Sequence, residues 1–293
     1  MKILLTGCNG QVGWELARTL LPLGEVVALN REQANFTDLE KLRATVQTIR
    51  PDVIVNAAAY TAVDKAESER ELAFLINAEA VGVLAHEAKK LKALSIHYST
   101  DYVFDGTKDA PYNEDDLPNP LNVYGESKLA GEQTIQASGA DYLIFRTTWV
   151  FAERGQNFVN SILRLAAERE ELNIVADQIG APTWARFIAE ATAHIVRQAE
   201  IERGAKIFES GIFNLTSADE TSWQGFAEKI VEIARQQNRE LKNRAINPIS
   251  TTAYPTPAKR PLNSRLSTTR LSERFKVKIP NWEKTLRLCL NAD

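Results

Sequence analysis

The sequence predicts an α/β protein in which a doubly wound parallel sheet is followed by a smaller, mixed α/β C-terminal lobe. Short β-branched runs alternate with stretches of helical period, a glycine-rich turn joins the first run to the first helix, and this regularity fades after about residue 149. Right-handed crossovers return the chain to the sheet in one direction, so the alternation predicts parallel strands covered by helices on both faces.

The first half of the chain is predicted to alternate strand and helix. Strands are expected at residues 3–6, 26–29, 53–56, 94–99 and 142–146, and helices at residues 12–21, 39–49, 77–91 and 124–137. The helix at 39–49 has the clearest pattern, because Leu39, Leu42 and Val46 share one face. A capping box running from Thr37 to Glu40 is predicted to begin it.

The second half is less regular. We expect helices at 158–167 and up to residue 199, a loop at 180–183, a strand at 212–215 and a proline-rich loop at 247–266. Residues 1–149 should form the first domain, with part of 183–205 packing back onto it. Residues 150–182 and 206–293 should form the second lobe.

Composition narrows the class of protein. The 293 residues are 44% hydrophobic and 25% charged, which excludes collagen-like, disulfide-rich and disordered chains. A net charge of -3 offers no basic field for nucleic acid. Two cysteines, Cys8 and Cys289, suit a reducing compartment. No apolar run is long enough for a signal peptide or a membrane span, so a cytoplasmic protein is predicted.

A glycine-rich loop follows the first predicted strand. Gly7, Gly10 and Gly13 recur every three residues and lead into a helix. Such a turn uses one glycine for the bend, one where the backbone approaches a pyrophosphate and one for helix packing. A plain glycine-rich turn is the alternative, but strand, loop and helix stand in the order that a dinucleotide site requires. The predicted loop residues of this site are Gly7, Asn9, Gly10, Gln11, Val12 and Gly13.

The second predicted strand ends at Asn30 and Arg31, about 20 residues past the loop, where an NAD site usually carries an acid. Asn30 removes a charge that would repel a 2′-phosphate, and Arg31 can pair with one. NADPH is therefore favoured and NADH is the alternative. A solvated surface charge is the alternative explanation of Arg31. Further predicted cofactor contacts are Asn35, Phe36, Ala57, Ala58, Ala59, Tyr60 and Thr61, with close helix packing as the other explanation of the alanines.

Three residues form a candidate catalytic group. Tyr124 and Lys128 are spaced i, i+4 and share a helix face. A lysine ammonium beside a phenol favours the phenolate and lowers a pKa that is ordinarily about 10. Thr100 follows a strand at the sheet edge where open α/β folds bind ligands. A Tyr-x-x-x-Lys pair often arises by chance, but the glycine loop and Thr100 make chance the poorer explanation.

These motifs resemble the extended short-chain dehydrogenase/reductases, and longer blocks resemble the family of dTDP-4-dehydrorhamnose reductases within them. The blocks are residues 63–67, 98–104, 122–125, 145–150, 180–183 and 260–264. The similarity covers essentially the whole chain and implies a Rossmann-type sheet.

The resemblance implies reduction of the C4 carbonyl of dTDP-4-dehydro-β-L-rhamnose to dTDP-L-rhamnose, a precursor of cell-wall polysaccharide. Tyr124 would protonate the developing alkoxide, Lys128 would hold the nicotinamide ribose and Thr100 would hydrogen-bond the carbonyl oxygen. Tyr98, Tyr124 and Lys128 would also contact the cofactor. The second lobe would close over the substrate, whose expected contacts are Thr100, Asp101, Trp149 and Arg260.

The resemblance also bears on metal and assembly. Some relatives are described with magnesium at a dimer contact built from glutamates. Glu15 matches one of these glutamates, but Arg186 stands where another is expected, so no metal site is predicted. The expected partners are a dTDP-sugar and at most a second copy of the chain, without nucleic acid or membrane.

Two other classes of function stay open. Nucleotide-sugar 4,6-dehydratases place an Asp-Glu pair after the threonine, whereas this chain has Asp101 and Tyr102; other short-chain reductases and epimerases share the fold. A non-catalytic cofactor-binding regulatory subunit, similar to the β subunit of methionine adenosyltransferase, is the second alternative.

Overall fold

The computed structural model describes residues 1–291 and has a six-stranded sheet at its centre. The strands, in order across the sheet, are β10 (Gly211–Asn214), β5 (Asp141–Thr147), β4 (Leu94–Thr100), β3 (Val53–Asn56), β1 (Lys2–Thr6) and β2 (Glu25–Leu29). Every neighbouring pair is parallel. The predicted α/β class with a doubly wound parallel sheet is confirmed.

Helices cover both faces of this sheet. In chain order they begin with α1 (Gln11–Thr19), α2 (Leu39–Ile49), α3 (Val63–Ala66), α4 (Arg70–Phe74), α5 (Ala80–Leu91) and α6 (Val123–Ser138). Side chains of β1 alternate between the faces: Ile3 and Leu5 join the core beneath α1, whereas Leu4 joins the core beneath α2 and α5. Both faces of the sheet are therefore buried, as a parallel sheet requires.

The remaining elements lie in the second half of the chain. They are β6 (Val150–Phe151), α7 (Phe158–Glu168), β7 (Glu171–Val175), β8 (Ile179–Gly180), β9 (Thr183–Trp184), α8 (Ala185–Ala205), β11 (Thr221–Ser222), α9 (Trp223–Gln236), β12 (Ala245–Ile249), α10 (Thr269–Phe275) and α11 (Trp282–Cys289). Short strand pairs link β11 to β8, β12 to β7 and β6 to β9. A separate core packs α7, α9 and α11 around Phe151, Phe226 and Trp282.

Three local predictions were wrong. The helix predicted at 77–91 begins at Arg70 and passes through a π-helical turn, Leu75–Glu79. The loop predicted at 247–266 starts inside β12, which tolerates Pro248 because β12 pairs only with β7. The N-cap of α2 is Asp38, which accepts from the Lys41 N–H, while the Thr37 hydroxyl is bound to Asn35; the capping box is absent.

One strand of the central sheet falls outside the range predicted for the first domain. Range 206–293 includes β10, which lies in the central sheet beside β5 because its apolar residue Phe213 packs into the large core. Helix α8 packs against α1, and residues 292–293 of the predicted lobe lie outside the described residues.

Two further observations concern the whole described chain. No helix within residues 1–291 is long and apolar enough to cross a membrane. The thiols of Cys8 and Cys289 are both free, and Cys289 is buried.

Candidate active site

The glycine loop between β1 and α1 has the conformation that its spacing predicts. Gly7 has φ +75°, and a Cβ there would lie 2.6 Å from the Ala58 nitrogen. A Cβ on Gly13 would lie 2.1 Å from the Gly7 carbonyl oxygen. Gly10 is the N-cap of α1. A side chain at Gly7 would push the loop off the residues that follow β3, and one at Gly13 would push α1 off the loop. The glycines therefore leave the loop backbone and the N-terminus of α1 open to an anion.

A cavity of about 930 Å³ lies beside this loop, at the carboxyl ends of β1 and β3. This is where the strand order reverses in the sheet, the usual ligand position in such folds. The predicted cofactor residues that line it are Gly7, Asn9, Gly10, Gln11, Val12, Arg31, Asn35, Phe36, Ala57, Ala58, Ala59, Tyr60, Thr61, Tyr98, Tyr124 and Lys128.

Two predicted cofactor residues do not line the cavity. Gly13 lies behind the loop, where its missing side chain allows α1 to approach Gly7. The Asn30 carboxamide oxygen accepts from the backbone N–H groups of Glu32 and Gln33 at 2.9 and 3.1 Å. Asn30 therefore shapes the turn that carries Arg31 to the cavity.

The cavity wall also contains residues that the sequence analysis missed. Arg154 stacks over the Trp14 ring, with its guanidinium carbon 3.2 Å from the ring centroid. Asn157 donates to the Gln11 side-chain oxygen at 3.0 Å, which ties the segment after β6 to the glycine loop. Each of these contacts joins residues more than a hundred positions apart, and no local pattern in the sequence predicts such contacts.

The π-helical turn before α5 holds the backbone of Tyr60. The Asn77 side chain accepts from the Tyr60 N–H at 2.8 Å and donates to the Tyr60 carbonyl at 3.0 Å. Asn77 also donates to the Ser127 hydroxyl on α6. One buried carboxamide thereby joins the cofactor wall to the helix that carries Tyr124, a role that spacing alone does not indicate.

The beginning of α6 is held tightly. Asn122 accepts from the Gly125 N–H at 2.8 Å as the N-cap, and donates to the Lys259 carbonyl at 2.7 Å. A Cβ on Gly125 would lie 2.2 Å from the Tyr102 carbonyl oxygen. Helix α6 therefore approaches the segment after β4 closely enough to place Tyr124 beside Thr100.

Lys128 forms no hydrogen bond with the Tyr124 hydroxyl. Its Nζ donates to the Tyr98 carbonyl at 2.6 Å and lies 3.2 Å from His97 Nε2. Burial raises the pKa of Tyr124 to about 12, although the nearby Thr100 hydroxyl lowers it. The spacing predicted the opposite direction, because it could not take account of the loss of water around the phenol.

Thr100 and Asp101 are buried at the end of β4. The Thr100 hydroxyl donates to Asp101 Oδ1 at 3.1 Å and accepts from the Tyr102 N–H. Burial raises the pKa of Asp101 to about 6, although the nearby hydroxyls of Ser264, Thr100 and Thr148 lower it. Asp101 Oδ2 and Thr148 Oγ1 have no hydrogen-bond partner within residues 1–291.

Arg260 is brought to the site by Asp64 of α3. Its Nη2 donates to Asp64 Oδ2 at 2.9 Å, while its buried Nη1 has no hydrogen-bond partner in the described chain. Glu67, from the same block as Asp64, accepts from the Val123 N–H at the start of α6. The block at 63–67 therefore orients both Arg260 and the Tyr124 helix.

Trp149 has φ +47° and is only partly exposed. Its ring stacks on Trp223 with centroids 3.7 Å apart, and a Cβ on Gly180 would lie 2.7 Å from the indole. Both contacts orient the ring beside the segment after β5. The strained backbone is therefore held by packing from the second half of the chain.

Glu15 does not stand ready for a metal ion. Arg186 donates to it at 3.3 Å and to Glu190 at 2.6 Å, so a guanidinium already neutralises this position. Within residues 1–291 no group of three or more histidine, cysteine, aspartate or glutamate side chains is arranged to hold a metal. The residues at this place do not fit magnesium.

Comparisons with known proteins give consistent results. The family described as RmlD substrate binding domain matches residues 1–293. The dTDP-4-dehydrorhamnose reductase of Burkholderia thailandensis is 56% identical over 292 residues, covering 99% of this chain and 98% of the relative. The enzyme of that name from Escherichia coli K12 is 48% identical over 295 residues, covering 99% and 97%. The crystal structure of the Bacillus anthracis dTDP-4-dehydrorhamnose reductase in complex with NADP superposes with a TM-score of 0.88 at 34% identity, covering 99% and 98% of the two chains.

Proposed function

Because the chain belongs to the dTDP-4-dehydrorhamnose reductase family, we propose that it is an NADPH-dependent oxidoreductase that reduces the C4 carbonyl of dTDP-4-dehydro-β-L-rhamnose. The product is dTDP-L-rhamnose, a cell-wall polysaccharide precursor. We further propose that the enzyme works in the cytoplasm, which the free thiols of Cys8 and Cys289 support. The proposed assembly is a monomer or a homodimer.

The cavity beside the glycine loop supports NADPH as the cofactor. Gly7 and Gly10 leave the backbone open for a pyrophosphate, and Arg31 lies at the cavity edge for a 2′-phosphate. No carboxylate ends β2 to repel that phosphate. When bound, the nicotinamide supplies the hydride that reaches C4.

Tyr124 is proposed to donate the proton to the C4 oxygen. Burial raises its pKa to about 12, so the phenol holds a proton to donate at neutral pH. The Thr100 hydroxyl, now bonded to Asp101, would turn to donate to the same oxygen. Lys128 would hold the nicotinamide ribose and assist Tyr124 in proton transfer.

The single observation that carries the proposal is a set of buried polar atoms without partners beside Tyr124. Asp101 Oδ2, Thr148 Oγ1 and Arg260 Nη1 are out of water, yet none has a hydrogen-bond partner within residues 1–291. Buried polar groups are ordinarily satisfied, so such a set indicates a polar ligand. Sugar hydroxyls suit the first two atoms and a diphosphate suits the guanidinium.

The second half of the chain is proposed to close this substrate site. Arg260 and Ser264 come from the second range, and Ser264 lies close enough to lower the pKa of Asp101. Trp149, the last residue of the first range, stacks on Trp223 of the second. On this basis we propose that the chain has two domains. The first is residues 1–149 together with part of 183–205, and the second is residues 150–182 together with 206–293. Strand β10 is the exception, because it pairs in the central sheet.

A dehydratase is less well supported. After Thr100 the chain has one carboxylate, Asp101, and then Tyr102 rather than glutamate. Tyr102 packs edge-on against Tyr124, with ring centroids 5.8 Å apart, so an apolar contact occupies the place of a second base. Removal of a proton from C5 would need that base.

The test is turnover with product identification. Purified protein should oxidise NADPH only with a dTDP-4-dehydro-6-deoxyhexose, and NMR of the product should give the rhamno configuration at C4. Another configuration would indicate a different nucleotide-sugar reductase. No oxidation with any such sugar would favour the regulatory subunit.

Tyr124→Phe tests the proton donor. The variant should lose at least ~100-fold in kcat, a usual contribution of general acid catalysis, and keep its Kd for NADPH within about twofold. Tyr254→Phe is the matched control, because Tyr254 is 59% exposed and is not among the residues that line the cavity. Undiminished turnover of Tyr124→Phe would remove Tyr124 from the proposed role.

A further inference from the structure

A row of buried polar side chains crosses the central sheet and ends at Lys128. The parallel register places Thr6 of β1 beside Asn56 of β3, and Asn56 beside His97 of β4. These three residues are 0%, 3% and 1% exposed. The reduction proposed above uses none of them, although His97 is a titratable group in contact with Lys128.

Hydrogen bonds along the row determine the orientation of the Asn56 carboxamide. The Ala58 N–H donates to Asn56 Oδ1 at 3.0 Å, and the Thr6 hydroxyl donates to the same atom at 2.7 Å. A backbone N–H can only donate, so the atom that it meets must be the amide oxygen. The Asn56 amide nitrogen therefore faces His97 Nδ1, at 3.1 Å.

The tautomer of His97 follows from this orientation. The amide nitrogen of Asn56 only donates, so His97 Nδ1 must be free of a proton and a neutral ring carries its proton on Nε2. A charged ring would set a proton on Nδ1 against the Asn56 amide protons. Burial lowers the pKa of His97 well below 6.5, and the charge of Lys128 lowers it further, in agreement with a neutral ring.

His97 Nε2 lies 3.2 Å from Lys128 Nζ. A ring N–H that faces an ammonium opposes two donors, whereas the same N–H donates to the lone pair of a neutral amine. The bond from Nζ to the Tyr98 carbonyl can form in either state. Glu132, one turn further along α6, also acts on the charge of Lys128 and is itself bound by Arg146 of β5. Tyr124, one turn before Lys128, forms no hydrogen bond with it.

We propose that His97 is a positioning residue for Lys128: held by Asn56 as the Nε2–H tautomer, it donates to Lys128 Nζ and favours the neutral amine. Burial acts in the same direction and lowers the pKa of Lys128 to about 8, while Glu132 opposes it. A lysine that gains and loses a proton near neutral pH is matched to proton exchange at working pH. The use of Lys128 in catalysis rests on the proposed function.

The first experiment reads the tautomer in the wild-type protein, by ¹H–¹⁵N correlation of the imidazole nitrogens. The chain has three histidines, and His86→Gln and His194→Gln, both at exposed positions, leave the signals of His97 by elimination. An Nε2–H pattern from pH 6 to 9 is expected. An Nδ1–H pattern, or a charged ring in that range, would overturn the proposal.

The second experiment reverses the tautomer. In Asn56→Asp a carboxylate oxygen replaces the amide nitrogen, so His97 Nδ1 takes the proton and Nε2 accepts from Lys128. The titration midpoint of Lys128, followed by its ¹³Cε signal and assigned with Lys128→Arg, should rise by about one pH unit or more.

The charge that Asn56→Asp adds is controlled by repeating the substitution in a His97→Leu background. In that background the titration midpoint of Lys128 should rise less than half as much, because no imidazole ring is present to change tautomer. An equal rise in both backgrounds would overturn the proposal. If Asn56→Asp does not fold, the wild-type tautomer still decides. Neither measurement needs a sugar substrate, so failure of sugar reduction would refute the proposed function and leave this inference standing.

Discussion

Arg146 of β5 and Glu132 of α6 form a bidentate ion pair whose side chains are only 2% and 1% exposed. Arg146 Nε and Nη2 donate to the two Glu132 oxygens at 2.9 and 2.6 Å. Glu132 lies one and two helical turns beyond Lys128 and Tyr124. The pair therefore anchors the catalytic helix to the sheet.

Removing one partner of this pair should be strongly destabilising. Arg146→Met leaves the Glu132 charge buried alone and should lower the free energy of unfolding by about 3–5 kcal/mol, measured by urea denaturation. Arg146→Met with Glu132→Leu should recover most of that loss. Arg164→Met, which breaks an exposed pair with Glu168, is the control and should change stability by no more than about 0.5 kcal/mol. A single variant as stable as the control would contradict the prediction.

Gly13→Ala and Gly204→Ala should have opposite effects. A Cβ on Gly13 would lie 2.1 Å from the Gly7 carbonyl oxygen, whereas one on Gly204 meets nothing within 4 Å. Gly13→Ala should lose about 1–3 kcal/mol of stability and at least tenfold in NADPH affinity. Gly204→Ala, within α8, should gain about 0.5–1 kcal/mol with unchanged affinity. Urea denaturation measures the stability and fluorescence titration measures the NADPH affinity. Normal NADPH binding by Gly13→Ala would contradict the proposed packing role of this glycine.

Local patterns predicted much of the fold and part of the candidate site. The glycine spacing and the i, i+4 spacing of Tyr124 and Lys128 are properties of neighbouring residues, so both could be recognised before the structure was known. The strand positions followed because a parallel sheet buries continuous apolar runs. Pro248 predicted a loop where the chain forms β12, since a proline is acceptable in a strand with one partner.

Contacts between distant segments could not be predicted in this way. Arg260 and Asp64 are 196 positions apart, and Asn157 and Gln11 are 146 apart. Spacing also could not give the direction of the Tyr124 pKa, because that direction depends on how much water the folded chain removes from the phenol.

Asp101→Asn should stabilise the protein, by an amount that depends on pH. Burial raises the pKa of Asp101 from 3.8 to about 6, so its contribution to stability is complete below about pH 4 and is lost as pH rises through about 6. The neutral amide avoids that loss and should add up to ~3 kcal/mol at pH 8. The gain should fade as pH falls towards 4, in urea denaturation at several pH values.

Asp116→Asn is the control of opposite sign for that measurement. Bonds from Lys108 and the Asn113 N–H outweigh burial and lower the pKa of Asp116. Its ionised form therefore stabilises the fold above the ordinary carboxyl range, so this variant should be less stable at pH 8 and lose that deficit as pH falls. A pH-independent effect of Asp101→Asn would show that Asp101 is ionised in the folded protein as readily as in the unfolded chain.

Arg31→Ala should weaken NADPH binding about tenfold and leave NADH binding nearly unchanged. Arg31 is exposed at the cavity edge, and Asn30, which holds its turn, carries no charge that would pair with it. A charge-assisted bond to a 2′-phosphate contributes about 1.5–3 kcal/mol when well formed, and exposure reduces it to about a factor of ten in Kd. Fluorescence titration with each cofactor measures the ratio, which should also fall with rising salt in the wild type. Arg169→Ala, another exposed arginine outside the cavity lining, should leave both affinities unchanged. Equal losses for the two cofactors in Arg31→Ala would mean that the guanidinium does not recognise the 2′-phosphate.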